Sequence, residues 1–114
     1  MIDIEKVKQE IVQKLLPLDP YKVILFGSYA YGKPNEDSDI DLYIVTKDDF
    51  IPQSYRENAD VYLNISKALR EIIQQYPSDL ITHTMKMHEK FLEQNGSFCR
   101  TIMNKGELLY ERTA

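Results

Sequence analysis

The sequence predicts an α+β fold, an α/β sandwich in which helices flank a small mixed β-sheet. Segments with the 3.6-residue period of amphipathic helices occur together with short runs of β-branched and aromatic residues. Their order along the chain is αββαβααβ, which is typical of helices packed on a small sheet. The length of 114 residues fits one domain, which we expect to span residues 1–114.

The first third of the chain is predicted to fold as a helix, a strand and a tight turn. Residues 2–16 repeat apolar side chains at helical spacing, and Pro17 ends the pattern. The run KVILF, residues 22–26, predicts a strand that Gly27 terminates. Residues 28–31 have the length of one helical turn before a loop rich in glycine, proline and asparagine.

The middle of the chain predicts a strand, a long helix and a weaker strand. In DIDLYIV, residues 39–45, apolar and other side chains alternate with the two-residue period of a strand. Ser54 and Glu57 have the spacing of a capping box, and the apolar periodicity that follows continues to residue 76. A third strand is predicted at residues 80–84.

Two short helices and an edge strand are predicted to complete the chain. The helices cover residues 85–93 and 98–105, and the strand covers residues 108–110. The apolar faces of the two helices fit either the core or an oligomer interface, so the sequence leaves the oligomeric state open.

The composition favours a cytoplasmic protein that does not bind nucleic acid or cross a membrane. The net charge is −4 and the pI is about 5.1, whereas general nucleic-acid binders usually carry a basic face. No apolar run approaches the roughly 18 residues of a membrane-spanning helix, and the charged N-terminus lacks a signal-peptide core. A single cysteine excludes an internal disulfide and is expected to be a structural thiol.

Two aspartates in the second strand are the first candidates for a functional site. Asp39 and Asp41 share one face of that strand, with Cα atoms roughly 6.5 Å apart at the usual strand rise. At that separation both carboxylates can bind the same Mg²⁺ ion or a pair of ions, which relieves their mutual repulsion. Taken alone, the pair would favour a simpler explanation, the solvated face of a half-exposed strand.

The pair Gly27-Ser28 supplies the second half of the candidate site. Glycine lets the backbone approach a phosphate closely, and the amides and the Ser28 hydroxyl are hydrogen-bond donors for anionic oxygens. The spacing of a Walker loop is absent. A phosphate cradle together with metal-binding aspartates is what the transfer of a nucleotidyl or phosphoryl group requires. The two histidines lack zinc-site spacing; His83 is expected on a strand and His88 on the surface.

The stretch FGSYAYGKPNEDSDIDLYIV resembles the signature of the polymerase-β-like nucleotidyltransferase superfamily: Gly-Ser, ten residues, then Asp-x-Asp. The small size is similar to that of minimal nucleotidyltransferase (MNT) domains, which are often encoded beside a HEPN-domain protein. The resemblance implies the polymerase-β-like nucleotidyltransferase fold. It also implies that Asp39 and Asp41 hold two Mg²⁺ ions and that Gly27 and Ser28 bind the nucleotide phosphates. A third carboxylate, Asp79, is implied to complete the metal site and is the candidate base.

The resemblance further implies a cytoplasmic adenylyltransferase that uses ATP and Mg²⁺. The acceptor it suggests is a tyrosine of a HEPN toxin, which makes the chain the antitoxin of a prokaryotic toxin–antitoxin pair. Two alternatives stay open at this point. One is an antitoxin that neutralises its partner by binding alone, and the other is an enzyme that transfers the nucleotidyl group to a small molecule.

Overall fold

A computed structural model describes residues 2–113. Within that range the chain forms six α-helices and four β-strands, which confirms the predicted α+β architecture. In chain order they are α1 (Ile4–Leu15), β1 (Lys22–Phe26), α2 (Ser28–Tyr31), β2 (Ile40–Val45), α3 (Tyr55–Ala68), α4 (Arg70–Gln75), β3 (Ser78–His83), α5 (Met85–Gln94), α6 (Ser97–Lys105) and β4 (Glu107–Glu111), with a 3₁₀ turn at Leu16–Leu18 after α1.

The four strands form one mixed sheet in the order β3-β2-β1-β4. Strand β1 pairs antiparallel with both β2 and β4, whereas β2 and β3 run parallel. The parallel pair is connected through α3 and α4, as a parallel pair requires a long crossover. Strands β3 and β4 are therefore the two edges, and the strand with the two aspartates lies inside the sheet.

The sheet separates two apolar layers. On one face, Ile40, Leu42 and Ile44 of β2 pack with buried residues of α1, α3 and α4. On the other face, Tyr43 and Val45 pack in a second cluster against residues of α5 and α6. Strand β2 is thus buried on both faces along most of its length, which fixes its position and so holds Asp41 in place.

The long helix predicted in the middle of the chain begins as expected but is interrupted. The long helix begins at Tyr55, where the Ser54 hydroxyl accepts a hydrogen bond from the Glu57 amide at 3.1 Å, so the predicted cap is confirmed. It does not continue to residue 76, because Leu69 leaves helical geometry (φ −99°, ψ 12°) while its side chain stays buried. The break separates α3 from α4 and lets both keep apolar side chains on the sheet.

The third strand begins two residues earlier than predicted, at Ser78, so Asp79 lies inside it. Among residues 2–113, no helix is both long enough and apolar enough to cross a membrane.

Candidate active site

The sheet register brings the three predicted carboxylates to one end of the β2–β3 pair. Asp41 and Asp79 are Cα partners across the parallel strands. Asp39 lies immediately before β2 and two residues before Asp41, so both project from the same side of the chain. Asp39 and Asp79 are exposed, whereas Asp41 is half-buried. Two of the three carboxylates are therefore open to solvent at this end of the strand pair.

Gly27 lies against this group of carboxylates. The residue before it, Phe26, pairs with Asp41 across β1 and β2. A Cβ atom added to Gly27 would collide with Oδ2 of Asp41, and the backbone has φ +76°, which disfavours other residues. Glycine is required here for two independent reasons, and its backbone lies directly beside the central carboxylate.

The turn after β1 is compact and closed by a second glycine. The carbonyl of Gly27 accepts hydrogen bonds from the amides of Ala30 and Tyr31, both at 3.0 Å. This single turn of helix, α2, ends at Gly32, which adopts φ +77°. The predicted turn is confirmed, and it places Ser28 next to Gly27 at the carboxylate end of the sheet.

The loop that leads into Asp39 is held by reciprocal hydrogen bonds. The amide of Asn35 donates to the Ser38 hydroxyl at 2.9 Å, and the Asp37 amide donates to the Asn35 side chain at 2.8 Å. The Ser38 amide in turn donates a hydrogen bond to the Asn35 carbonyl at 3.1 Å. The polar residues that precede Asp39 thus form a defined turn that orients the entry into β2.

The electrostatics of the site favour a cation. Burial, then the charges of Asp79 and Asp39, raise the pKa of Asp41 from 3.8 to about 6. A bound cation relieves both effects by neutralising the carboxylate cluster. Among the described residues, no group of three or more His, Cys, Asp or Glu side chains is placed to hold a metal ion by itself, and this includes the three carboxylates. Mg²⁺ does not require such a group, since it usually takes one or two carboxylates together with substrate phosphates. The oxygen donors present therefore fit this ion.

A second polar group, on the same face of the sheet as Asp41, was not predicted from the sequence. The hydroxyl of buried Tyr43 lies 3.0 Å from Nδ1 of His83 and 2.7 Å from Nδ1 of His88. The prediction that His88 is a surface residue was wrong, because its side chain is only 4% exposed. The signal that could have revealed it is helical spacing: Met85, His88 and Phe91 recur every three residues on α5.

Burial gives this polar group a defined protonation state. It raises the pKa of the Tyr43 hydroxyl and lowers the pKa of both imidazoles, that of His88 to about 4. At neutral pH all three groups are therefore uncharged. The thiol of Cys99 is buried, as expected of a structural cysteine.

A cavity of about 430 Å³ lies elsewhere, between α1 and β4. Its lining includes Lys8 and Glu107, which form an ion pair at 2.9 Å, and none of the predicted site residues. Its location does not argue against the carboxylate site, because the phosphates of a nucleotide can be held at an open, polar surface.

A family model described as "Polymerase beta, Nucleotidyltransferase" matches residues 5–114. The chain belongs to this family. The match spans both Gly27-Ser28 and the three carboxylates, and it confirms the resemblance on which the nucleotidyltransferase activity was predicted. The chain is also 34% identical over 90 residues to a Methanocaldococcus jannaschii protein named "Putative protein adenylyltransferase MJ0604". That alignment covers 78% of this chain and 77% of the relative.

Solved structures share the fold. One is a toxin–antitoxin crystal structure with AMP-PNP, which has a TM-score of 0.53 at 19% identity and covers 93% of this chain and 74% of its own. Another is a mutant of the toxin–antitoxin MntA-HpeT, with a TM-score of 0.52 at 17% identity, covering 99% of this chain and 76% of its own. At these identities the likeness supports the predicted polymerase-β-like fold.

Proposed function

We propose that this nucleotidyltransferase is a Mg²⁺-dependent adenylyltransferase of the cytoplasm that transfers AMP from ATP to a tyrosine of a HEPN-domain toxin, and so acts as its antitoxin. The observation that carries the proposal is the pairing of Asp41 with Asp79 beside Gly27. If the aspartates were only the solvated face of a strand, there would be no need for a glycine packed against Asp41, which is half-buried and is repelled by the charges of Asp39 and Asp79.

The carboxylates have separate roles in this proposal. Asp39 and Asp41 would hold Mg²⁺, which supplies charge neutralisation at the phosphates. Asp79 is exposed, so it is accessible to an incoming hydroxyl group and is the candidate base that takes its proton. The backbone of Gly27 and the amide and hydroxyl of Ser28 would bind phosphate oxygens.

The reaction is an in-line displacement at the α-phosphorus. The acceptor tyrosine oxygen forms a bond to that phosphorus, the bond to the bridging oxygen breaks, and pyrophosphate leaves with its electron pair. The chain contributes chiefly the positioning of the nucleotide and the acceptor. The adenylyl donor is supported by the named activity of the M. jannaschii relative. The toxin partner is supported by the toxin–antitoxin structures that share the fold.

Labelled ATP tests the reaction type directly. The protein would be incubated with Mg²⁺, its co-produced partner and ATP labelled at either the α- or the γ-phosphate. We expect the partner to acquire the α-label and not the γ-label, and we expect chelation of Mg²⁺ to prevent labelling. Transfer of the γ-label would contradict adenylylation. Absence of both labels, with a stable complex and a silenced toxin, would favour the antitoxin that acts by binding alone.

A further inference from the structure

One buried hydroxyl connects three elements of the fold close to the carboxylates. Tyr43 follows Asp41 by two residues on β2 and therefore faces the same side of the sheet. Its side chain is fully buried, and its hydroxyl lies between the Nδ1 atoms of His83 and His88. The first histidine ends β3, and the second lies on α5.

These connections fasten the strand that carries Asp79. Within residues 2–113, β3 is an edge strand whose only backbone ladder is with β2. Asp79 is near its exposed beginning and His83 is its last residue. Only Thr84, the N-cap of α5, separates β3 from that helix. The Tyr43 hydroxyl therefore holds both the end of β3 and the helix that follows it to the central strand.

The hydrogen bonds restrict the arrangement further. A phenolic hydroxyl has one proton, so it can donate to one imidazole while accepting from the other. The two neutral rings must then carry their protons on different nitrogens. The Tyr43 ring also stacks on Phe91, with centroids 5.2 Å apart and planes inclined by 25°. Phenylalanine in place of Tyr43 would keep that stacking and would remove only the hydroxyl bridge.

We propose that Tyr43 is a positioning residue that fixes the register of β3 on β2 and thereby sets Asp79 opposite Asp41. The hydrogen bond between the Tyr43 hydroxyl and His83 runs diagonally across the two strands, because the residue directly opposite Tyr43 is Ile81, two positions before His83. A parallel strand that slipped by two residues would keep its faces but would lose this bond. It would also place Pro77 or Ile81, in place of Asp79, beside the central carboxylate. The catalytic part of this inference rests on the proposed transferase function.

The test compares Tyr43→Phe with Ile81→Val, which loosens the same face of β3 but keeps the hydroxyl bridge. Both variants would be assayed for AMP transfer to the co-produced partner. We expect Tyr43→Phe to lower kcat at least tenfold with KM for ATP changed less than twofold, because Gly27 and Ser28 lie on the other side of the site. We expect Ile81→Val to change both constants less than twofold. Equal losses in the two variants would overturn the inference.

A second pair of variants, at His83, tests the same hydrogen bond if Tyr43→Phe does not fold. His83→Asn keeps a polar atom near the position of Nδ1, whereas His83→Leu has none. Since His83 is half-buried, both are expected to fold. We expect the asparagine to retain at least half of the wild-type kcat and the leucine to lose as much as Tyr43→Phe. Equal activity in the two would contradict a role for the hydrogen bond.

Backbone hydrogen exchange provides a readout that needs no catalysis. We expect Tyr43→Phe to accelerate exchange of the β3 amides at least fivefold relative to those of β1, and we expect Ile81→Val not to do so. If the wild type transfers no AMP, the proposed function fails, and exchange alone decides whether Tyr43 positions β3. Uniform acceleration across the sheet would overturn the positioning role even in an active enzyme.

Discussion

The free energy of unfolding should rise when Asp41 is replaced by asparagine, although the same change should abolish transfer. The pKa of Asp41 is raised from 3.8 to about 6, first by burial and then by Asp79 and Asp39. A shift of about two pH units corresponds to about 3 kcal/mol at 1.36 kcal/mol per unit. Solvent screens this partly exposed carboxylate, so we expect about 1 kcal/mol.

The sign of the pH dependence follows from the direction of the shift. Between about pH 4 and pH 6 the folded protein binds the Asp41 proton more tightly than the unfolded chain does. The wild type therefore loses stability as pH rises through that window, and the whole penalty is present at pH 7.5. The substituted asparagine carries no charge, so the advantage of the variant should be largest at pH 7.5 and should disappear near pH 4.

Urea unfolding followed by circular dichroism at the two pH values measures this difference. At pH 7.5 without Mg²⁺, Asp41→Asn should be more stable by about 1 kcal/mol, which corresponds to about 4 °C in Tm for a chain of this length. Asp37→Asn, a change to an exposed carboxylate in the preceding turn, should stay within about 0.5 kcal/mol of the wild type. A variant that is less stable than the wild type, or an advantage independent of pH, would refute the reasoning.

Two further predictions concern the glycines and the buried histidine. Gly27→Ala should lower the free energy of unfolding by more than about 2 kcal/mol, and Gly32→Ala by only about 1 kcal/mol. Both glycines have positive φ, but only Gly27 lies against Asp41, whereas the space around Gly32 is open. Equal losses of stability in urea unfolding would contradict the close contact. Burial lowers the pKa of His88 from 6.5 to about 4, a shift of about 2.5 units that corresponds to about 3 kcal/mol at 1.36 kcal/mol per unit. The free energy of unfolding should therefore fall by up to about that amount as the pH falls from 6.5 towards 4. Acid titration of Tm should therefore be flatter in His88→Gln; an unchanged slope would show that His88 does not titrate in this window.

Local patterns predicted the part of the site that lies on one continuous stretch. Gly27 to Asp41 contains the strand end, the glycine turn and the alternating strand, and each of these depends on neighbouring residues in the sequence. For that reason the placement of Ser28 beside Gly27, and of Asp39 and Asp41 at the beginning of β2, agrees with the prediction.

The remaining features depend on contacts between distant segments. The pairing of Asp79 with Asp41 is a register between strands separated by two helices, and the residues of β3 do not specify it by themselves. The break at Leu69 follows from packing α3 and α4 against one sheet face, although the apolar period continues through it. The burial of His88 requires a partner hydroxyl from β2, and a single helix pattern does not reveal that partner.

The intact mass of the co-produced partner tests the central claim most directly. The partner would be isolated after incubation with ATP, Mg²⁺ and either the wild type, Asp41→Asn or the matched control Asp37→Asn. We expect a partner heavier by one or more AMP units with the wild type and the control, and an unmodified partner with Asp41→Asn, which should still form the complex. An unmodified partner in all three samples, or equal modification by Asp41→Asn, would contradict the assignment of these carboxylates to nucleotidyl transfer.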